Sequence, residues 1–147
     1  MGENYDEYAL SDQLIMNRFR NHLNPDESEF YYVVGQEKGS TGEQFFIIAL
    51  VGFMLGPLLM TKTYFIGLTP RRLMLMYISG SFQEKAFESI DLLEIGGVKI
   101  KDTDGYKTML ILLRSGKKYR FEIEKNLYTV KKQAENLEKM CQVLTLP

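Results

Sequence analysis

Residues 45–60 read FFIIALVGFMLGPLLM, sixteen in succession without a charged or strongly polar side chain. Any fold of this chain has to hide that block, because contiguous apolar surface of such size is rare on a soluble monomer. As a helix it reaches roughly 24 Å, short of the roughly 30 Å hydrocarbon core of a bilayer. A single membrane-crossing helix is therefore a poor reading, and the block is more uniformly apolar than a surface helix needs to be. Three uses remain: a helix in the protein's own core, a segment dipping part way into a lipid bilayer, or a surface buried against another subunit. The side chains to be hidden are Phe45, Phe46, Ile47 and Ile48, then Leu50, Val51, Phe53 and Met54, and finally Leu55, Leu58, Leu59 and Met60. Gly52, Gly56 and Pro57 indicate a bend or a close contact within the run. Gly52 and Gly56, with Ala49 a turn earlier, offer a small-residue face to another helix.

The block interrupts a chain that otherwise reads as short strands between two helices. Ser11 is a good N-cap, Leu10 can staple onto Ile15, and Leu14, Ile15, Phe19 and Leu23 form one apolar stripe that ends at Asn24-Pro25. Residues 29–37 are rich in aromatic and β-branched side chains, the mark of a first strand. Strands are also expected over 63–69 and 72–79, joined at Pro70-Arg71, over 82–88, and over 91–101 with a bulge at Gly96-Gly97. Two more follow at 106–114 and 117–124, separated by Ser115-Gly116; in the last, Tyr119, Phe121 and Ile123 alternate with charges. Asn126 can cap a final helix whose stripe is Leu127, Val130, Ala134, Leu137, Cys141 and Leu144.

Charge is unevenly spread. The formal total is −1, but residues 1–61 carry 3 basic and 9 acidic side chains and residues 62–147 carry 15 and 10. The basic half fits an ordinary solvated face first and an anionic surface as partner second, while nucleic acid is a poor fit for a chain that is not basic overall and has no groove-reading motif. A single cysteine, Cys141, allows no internal disulfide and fits a reducing compartment. The acidic first residues lack the features of a secretory signal. Catalysis has little to stand on: His22 is the only histidine, and no nucleophile elbow, phosphate loop or zinc spacing is present. Asp102, Asp104 and Gly105 read as a turn rather than a calcium loop, since the later glutamate is missing. No cofactor, metal or small-molecule substrate is implied.

Residues 64–75, YFIGLTPRRLML, carry an apolar run, then L-T-x-x-R-L, then more apolar residues. This resembles the bacterial pleckstrin-homology-like (PH-like, GRAM-like) domain family, and Phe87 to Ile95 looks like its fourth-to-fifth strand passage. The resemblance covers roughly residues 29–145. It implies a mainly β fold with flanking helices: a half-open barrel of about seven antiparallel strands capped by a C-terminal amphipathic helix. To this the chain adds an N-terminal helix and an apolar helical insertion between the first two strands. In that frame residues 1–28 are a tail and helix, and residues 29–147 the PH-like domain with its insertion at 45–60. Leu68 and Leu73 fill the barrel, and Arg72 can hydrogen-bond loop carbonyls.

The family implies recognition rather than catalysis. The expected function is a non-catalytic module that associates with a membrane through the apolar insertion. The alternative is a soluble interaction or self-assembly module, with the segment buried on the fold or between subunits of a homo-oligomer. Lys38 and Lys62 flank the block, and with Lys99, Lys101, Lys117 and Lys118 they are candidate contacts to an anionic surface. The partner is thus a membrane lipid surface or a protein, and the expected location is the cytoplasm, with lipid contact placing the chain on the inner face of the cell membrane.

Overall fold

The computed structural model describes residues 9–37 and 62–145. The predicted insertion at 45–60, with Lys38, lies outside the described residues. The elements are α1 (Asp12–Arg20), β1 (Tyr31–Glu37), β2 (Lys62–Leu68), β3 (Arg72–Ile78), β4 (Glu84–Asp91), a one-turn 3-10 helix (Leu92–Glu94), β5 (Ile95–Thr103), β6 (Tyr106–Leu113), β7 (Lys118–Glu124) and α2 (Gln133–Leu144). All seven strands join one antiparallel sheet in the order β4-β3-β2-β1-β7-β6-β5. Among the described residues β4 and β5 are its two unpaired edges, and the sheet there wraps around a core without closing.

The β1–β3 part of the sheet is buried on both faces. In β3, Leu73 and Leu75 point into the barrel with Val33, Ile66 and Phe121, while Met74 and Met76 point outward with Tyr32 and Phe65. The outward set is covered by Leu14, Ile15 and Phe19 of α1, all fully buried. Each such burial is worth about 2 kcal/mol. This two-sided burial explains why β3, RLMLMYI, is nearly continuously apolar instead of alternating. Ser11 caps α1 as its sequence suggests, accepting from the Leu14 amide at 3.1 Å. Gly67 lets the helix approach: a Cβ there would lie 2.8 Å from Met74 Cε and 3.1 Å from Phe19 Cζ.

β1 and β7 share only two register pairs, Gln36 with Glu122 and Glu37 with Phe121. Where they part, α2 supplies the missing partners. The Gln133 side-chain amide accepts from the Val34 amide at 3.0 Å and donates to the carbonyls of Val34 and Glu124. Asn136 donates to the Tyr32 carbonyl at 2.9 Å. Both polar side chains are consequently buried, as backbone groups left inside without partners would be costly. The turn that leads into α2 is held from outside: the Asp12 carboxylate accepts from the Lys131 and Lys132 amides.

The β2–β3 turn is tied by Thr69, whose hydroxyl accepts from the Arg71 and Arg72 amides. Leu68 and Leu73 fill the core as expected. Arg72 donates to the His22 carbonyl, but its principal partner is Glu27, bound through Nε at 3.0 Å and Nη2 at 2.8 Å, with Nη1 on Ser89. Glu27 is 4% exposed. Hydrogen bonding from Arg72 holds its carboxyl down at about 2, against the upward pull of burial.

Three expectations shift. β4 begins at Glu84 rather than 82, because Ser79–Phe82 forms a turn with Phe82 at φ 64, where its carbonyl takes the Arg18 guanidinium at 2.8 Å. The expected 91–101 strand starts only at Ile95, since Asp91 and Glu94 form a capping box on a 3-10 turn. Its bulge lies between Ile95 and Gly97, where the glycine pair suggested. The last helix starts at Gln133 instead of just after Asn126, and Ala134 is exposed. Leu127 and Val130 instead bridge within a turn that precedes it.

Candidate functional site

Glu37, the last residue of β1, and Lys62, the first of β2, are direct register partners. The chain thus departs and re-enters at one end of the barrel. The β3–β4 turn lies at the same end, since Ile78 pairs with Thr63. So does the β6–β7 turn, since β7 runs on to Lys118 past the Phe121 pair with Glu37.

An aromatic and cationic ring lines this mouth. Tyr64 packs against Tyr77 at 5.6 Å and Phe121 at 5.3 Å between ring centroids. Lys62 and Lys85 stand over the Tyr77 ring, at 5.5 and 6.0 Å, and Lys117 stands 5.0 Å over Tyr119. The Tyr119 hydroxyl donates to the Glu88 carboxylate, which also pairs with Lys117 at 3.5 Å. Burial, then the Glu37 charge, pushes Tyr64 up to about 12, and burial with Glu88 raises Tyr119. Both phenols therefore stay neutral donors at physiological pH. Each phenol donates to a carboxylate, Tyr64 to Glu37 and Tyr119 to Glu88, so the groups at the mouth left to meet an anion are the ammonium groups of Lys62 and Lys85; no nucleophile stands beside a base here.

The proposed cationic contacts divide between two places. Lys62 and Lys117 join the mouth, together with Lys85, which sequence reasoning missed because only the β3–β4 pairing brings it there. Lys99 and Lys101 on β5 and Lys118 on β7 are exposed on the outer face of the sheet, since their neighbours Val98, Ile100 and Tyr119 face the core.

A groove of about 720 Å³ lies at the opposite end, between α1, the β2–β3 turn and α2. Met16, Phe30, Leu68, Pro70 and Val143 supply its apolar lining, and Lys132, Glu135 and Lys139 part of its polar lining. No local pattern announces it, because its walls come from four distant segments. The remaining candidates are structural. His22 stacks on Phe87 at 3.7 Å with Nε2 2.7 Å from Glu84, joining the end of α1 to β4. Asp102 pairs with Lys125 and Lys107, which lower its carboxyl. Cys141 is half-buried, and burial raises its thiol. Among the described residues no group of three potential ligands could hold a metal, and no helix is long and apolar enough to cross a membrane.

Strand order, mouth and capping helix define a PH-like binding fold. The family model described as "Bacterial PH domain" matches residues 23–145, and the chain belongs to that family, whose domains are generally non-catalytic binding modules. α1 precedes the matched region. The fold is similar to the hSac2 domain from human phosphoinositide phosphatase Sac2, with a TM-score of 0.52 at 10% identity over 90% of this chain and 76% of that one. No curated protein matches the sequence.

Proposed function

We propose that the chain is a non-catalytic module that associates with a lipid surface through residues 45–60, on the inner face of the cell membrane. The register pairing of Glu37 with Lys62 carries this reading. A segment tethered at both ends to one end of a barrel can dip into a bilayer and return. A single crossing helix would need its ends on opposite sides. Lys62 and Lys85, at the mouth where such a segment leaves the fold, support this reading as contacts for headgroups, while Lys117 is paired with Glu88. In this reading residues 29–147 form the lipid-associating domain, and residues 1–28 are a tail and a helix, of which α1 covers the outer face of β1–β3.

A second reading, burial of the block against protein, is favoured by the groove between α1 and α2. Met16 and Val143 in its walls are 36% and 38% exposed, and its volume suits several apolar side chains. The occupant would be the block itself or that of a second copy.

Liposome flotation of the full chain at low and high salt, beside its mass in solution, separates the two. Flotation that persists in high salt supports the apolar anchor, because screening weakens exposed charge contacts and not burial. A monodisperse protein that never floats overturns it, and its mass then separates a self-covered monomer from an assembly.

A further inference from the structure

The outer face of β5–β7 is polarised along the strands. Register places its side chains in rows: Gly97, Leu112 and Lys118; then Lys99, Leu110 and Arg120; then Lys101, Thr108 and Glu122. Glu124 stands at the far end of β7, paired with Tyr106. Rows are about 7 Å apart and neighbouring strands about 4.8 Å apart. Lys99, Lys101, Lys118 and Arg120 therefore stand close together around Leu110 and Leu112, which are half-buried.

All four cations are exposed, and none has a hydrogen bond or ion pair among the described residues. The nearby basic side chains are engaged: Lys107 and Lys125 on Asp102, Lys117 on Glu88, and Arg114 on the Leu93 carbonyl. Direction matters as well as number. Lys118 and Arg120 lie on the part of β7 that runs past the end of β1, toward the mouth, whereas Glu122 and Glu124 lie away from it. Charge on this face thus rises toward the end at which β1 and β2 are joined.

We propose that the outer face of β5–β7 is a second, electrostatic contact with an anionic lipid bilayer, which tilts the barrel so that this face and the mouth meet the surface together. The proposal rests on the membrane reading above and adds the lipid class and the orientation. An open outer face with apolar residues between long cationic stems fits a surface of many headgroups better than a pocketed ligand. The lipid is defined by its net negative charge alone; nothing on this face forms a cage for one headgroup.

The test measures partition of the full chain onto phosphatidylcholine vesicles with and without phosphatidylglycerol. The face variant is Lys99→Gln with Arg120→Gln. A control with the same charge change, Arg71→Gln with Lys131→Gln, lies in the β2–β3 turn and just before α2, away from this face. Thermal unfolding of each variant checks that it folds. The wild type should bind anionic vesicles more tightly than neutral ones, with the difference fading in salt. The face variant should lose roughly 25-fold on anionic vesicles, about fivefold per cation, and stay unchanged on neutral ones. The control should change less than about twofold. Equal losses in both variants, or no preference of the wild type for anionic vesicles, would overturn the proposal while leaving binding to neutral vesicles as support for the apolar anchor. Absence of binding to either vesicle would remove both.

Discussion

Replacing Glu27 by Gln keeps the shape of the side chain and removes its charge beside Arg72. The wild-type carboxyl titrates at about 2 when folded against an ordinary 4.5. A carboxyl depressed in the folded state stabilises above its unfolded value, and that contribution is lost as the pH falls through the folded value. The difference amounts to about 3 kcal/mol at pH 7, about 1 kcal/mol at pH 3 and little at pH 2. The variant also leaves the Arg72 guanidinium, with 15% side-chain exposure, without a counter-charge. A total loss of about 3–5 kcal/mol is therefore expected at neutral pH. The chain contains no tryptophan, so urea unfolding is best followed by far-UV circular dichroism. Wild type and variant should converge in stability between pH 5 and pH 2. A loss under about 1 kcal/mol at pH 7, or one that stays constant with pH, would refute the assignment of Glu27–Arg72 as a charged clamp.

Other substitutions test the remaining joints. Gln133→Leu should cost about 2–4 kcal/mol in urea unfolding, because it strands the Val34 and Glu124 backbone groups, and it should speed hydrogen exchange at the Val34 amide. Gly67→Ala should lose about 1–3 kcal/mol of stability and expose α1 to exchange first, since the new methyl meets Phe19 and Met74. Asp12→Ala removes the partner of the Tyr32 hydroxyl and of two amides before α2, and should lower stability by about 1–2 kcal/mol in the same assay. Val51→Asp with Ile48→Asp should abolish flotation in high salt while leaving the thermal midpoint within a few degrees; a collapse of folding would assign the block to the core instead.

The fold was legible where local chemistry and burial agree. The stripe Leu14, Ile15 and Phe19 is the buried face of α1, and the L-T-x-x-R-L run is the β2–β3 turn with its two core leucines. The last helix was misread where they disagree. An apolar stripe predicts Leu127 to Leu144 as its buried face, but the seam between β1 and β7 calls for donors and acceptors, so Gln133 and Asn136 point inward and Ala134 outward. Its start is held by Asp12, 119 residues away from Lys131, a distance at which no capping pattern can be seen. The candidate site divides in the same way. Residue type alone names Lys62 and Lys117 as candidates, whereas the aromatic rings beneath them and the nearness of Lys85 follow from register. Glu27 gave no local sign of its importance, since its value lies wholly in reaching Arg72.

The central claim is that residues 45–60 enter lipid. Because the chain has no tryptophan, Phe53→Trp would place a single, selectively excitable tryptophan in the middle of that block. Its emission should shift to the blue when vesicles are added in high salt, and brominated acyl chains should quench it. Emission that is unchanged by vesicles and insensitive to brominated lipid would contradict the claim directly.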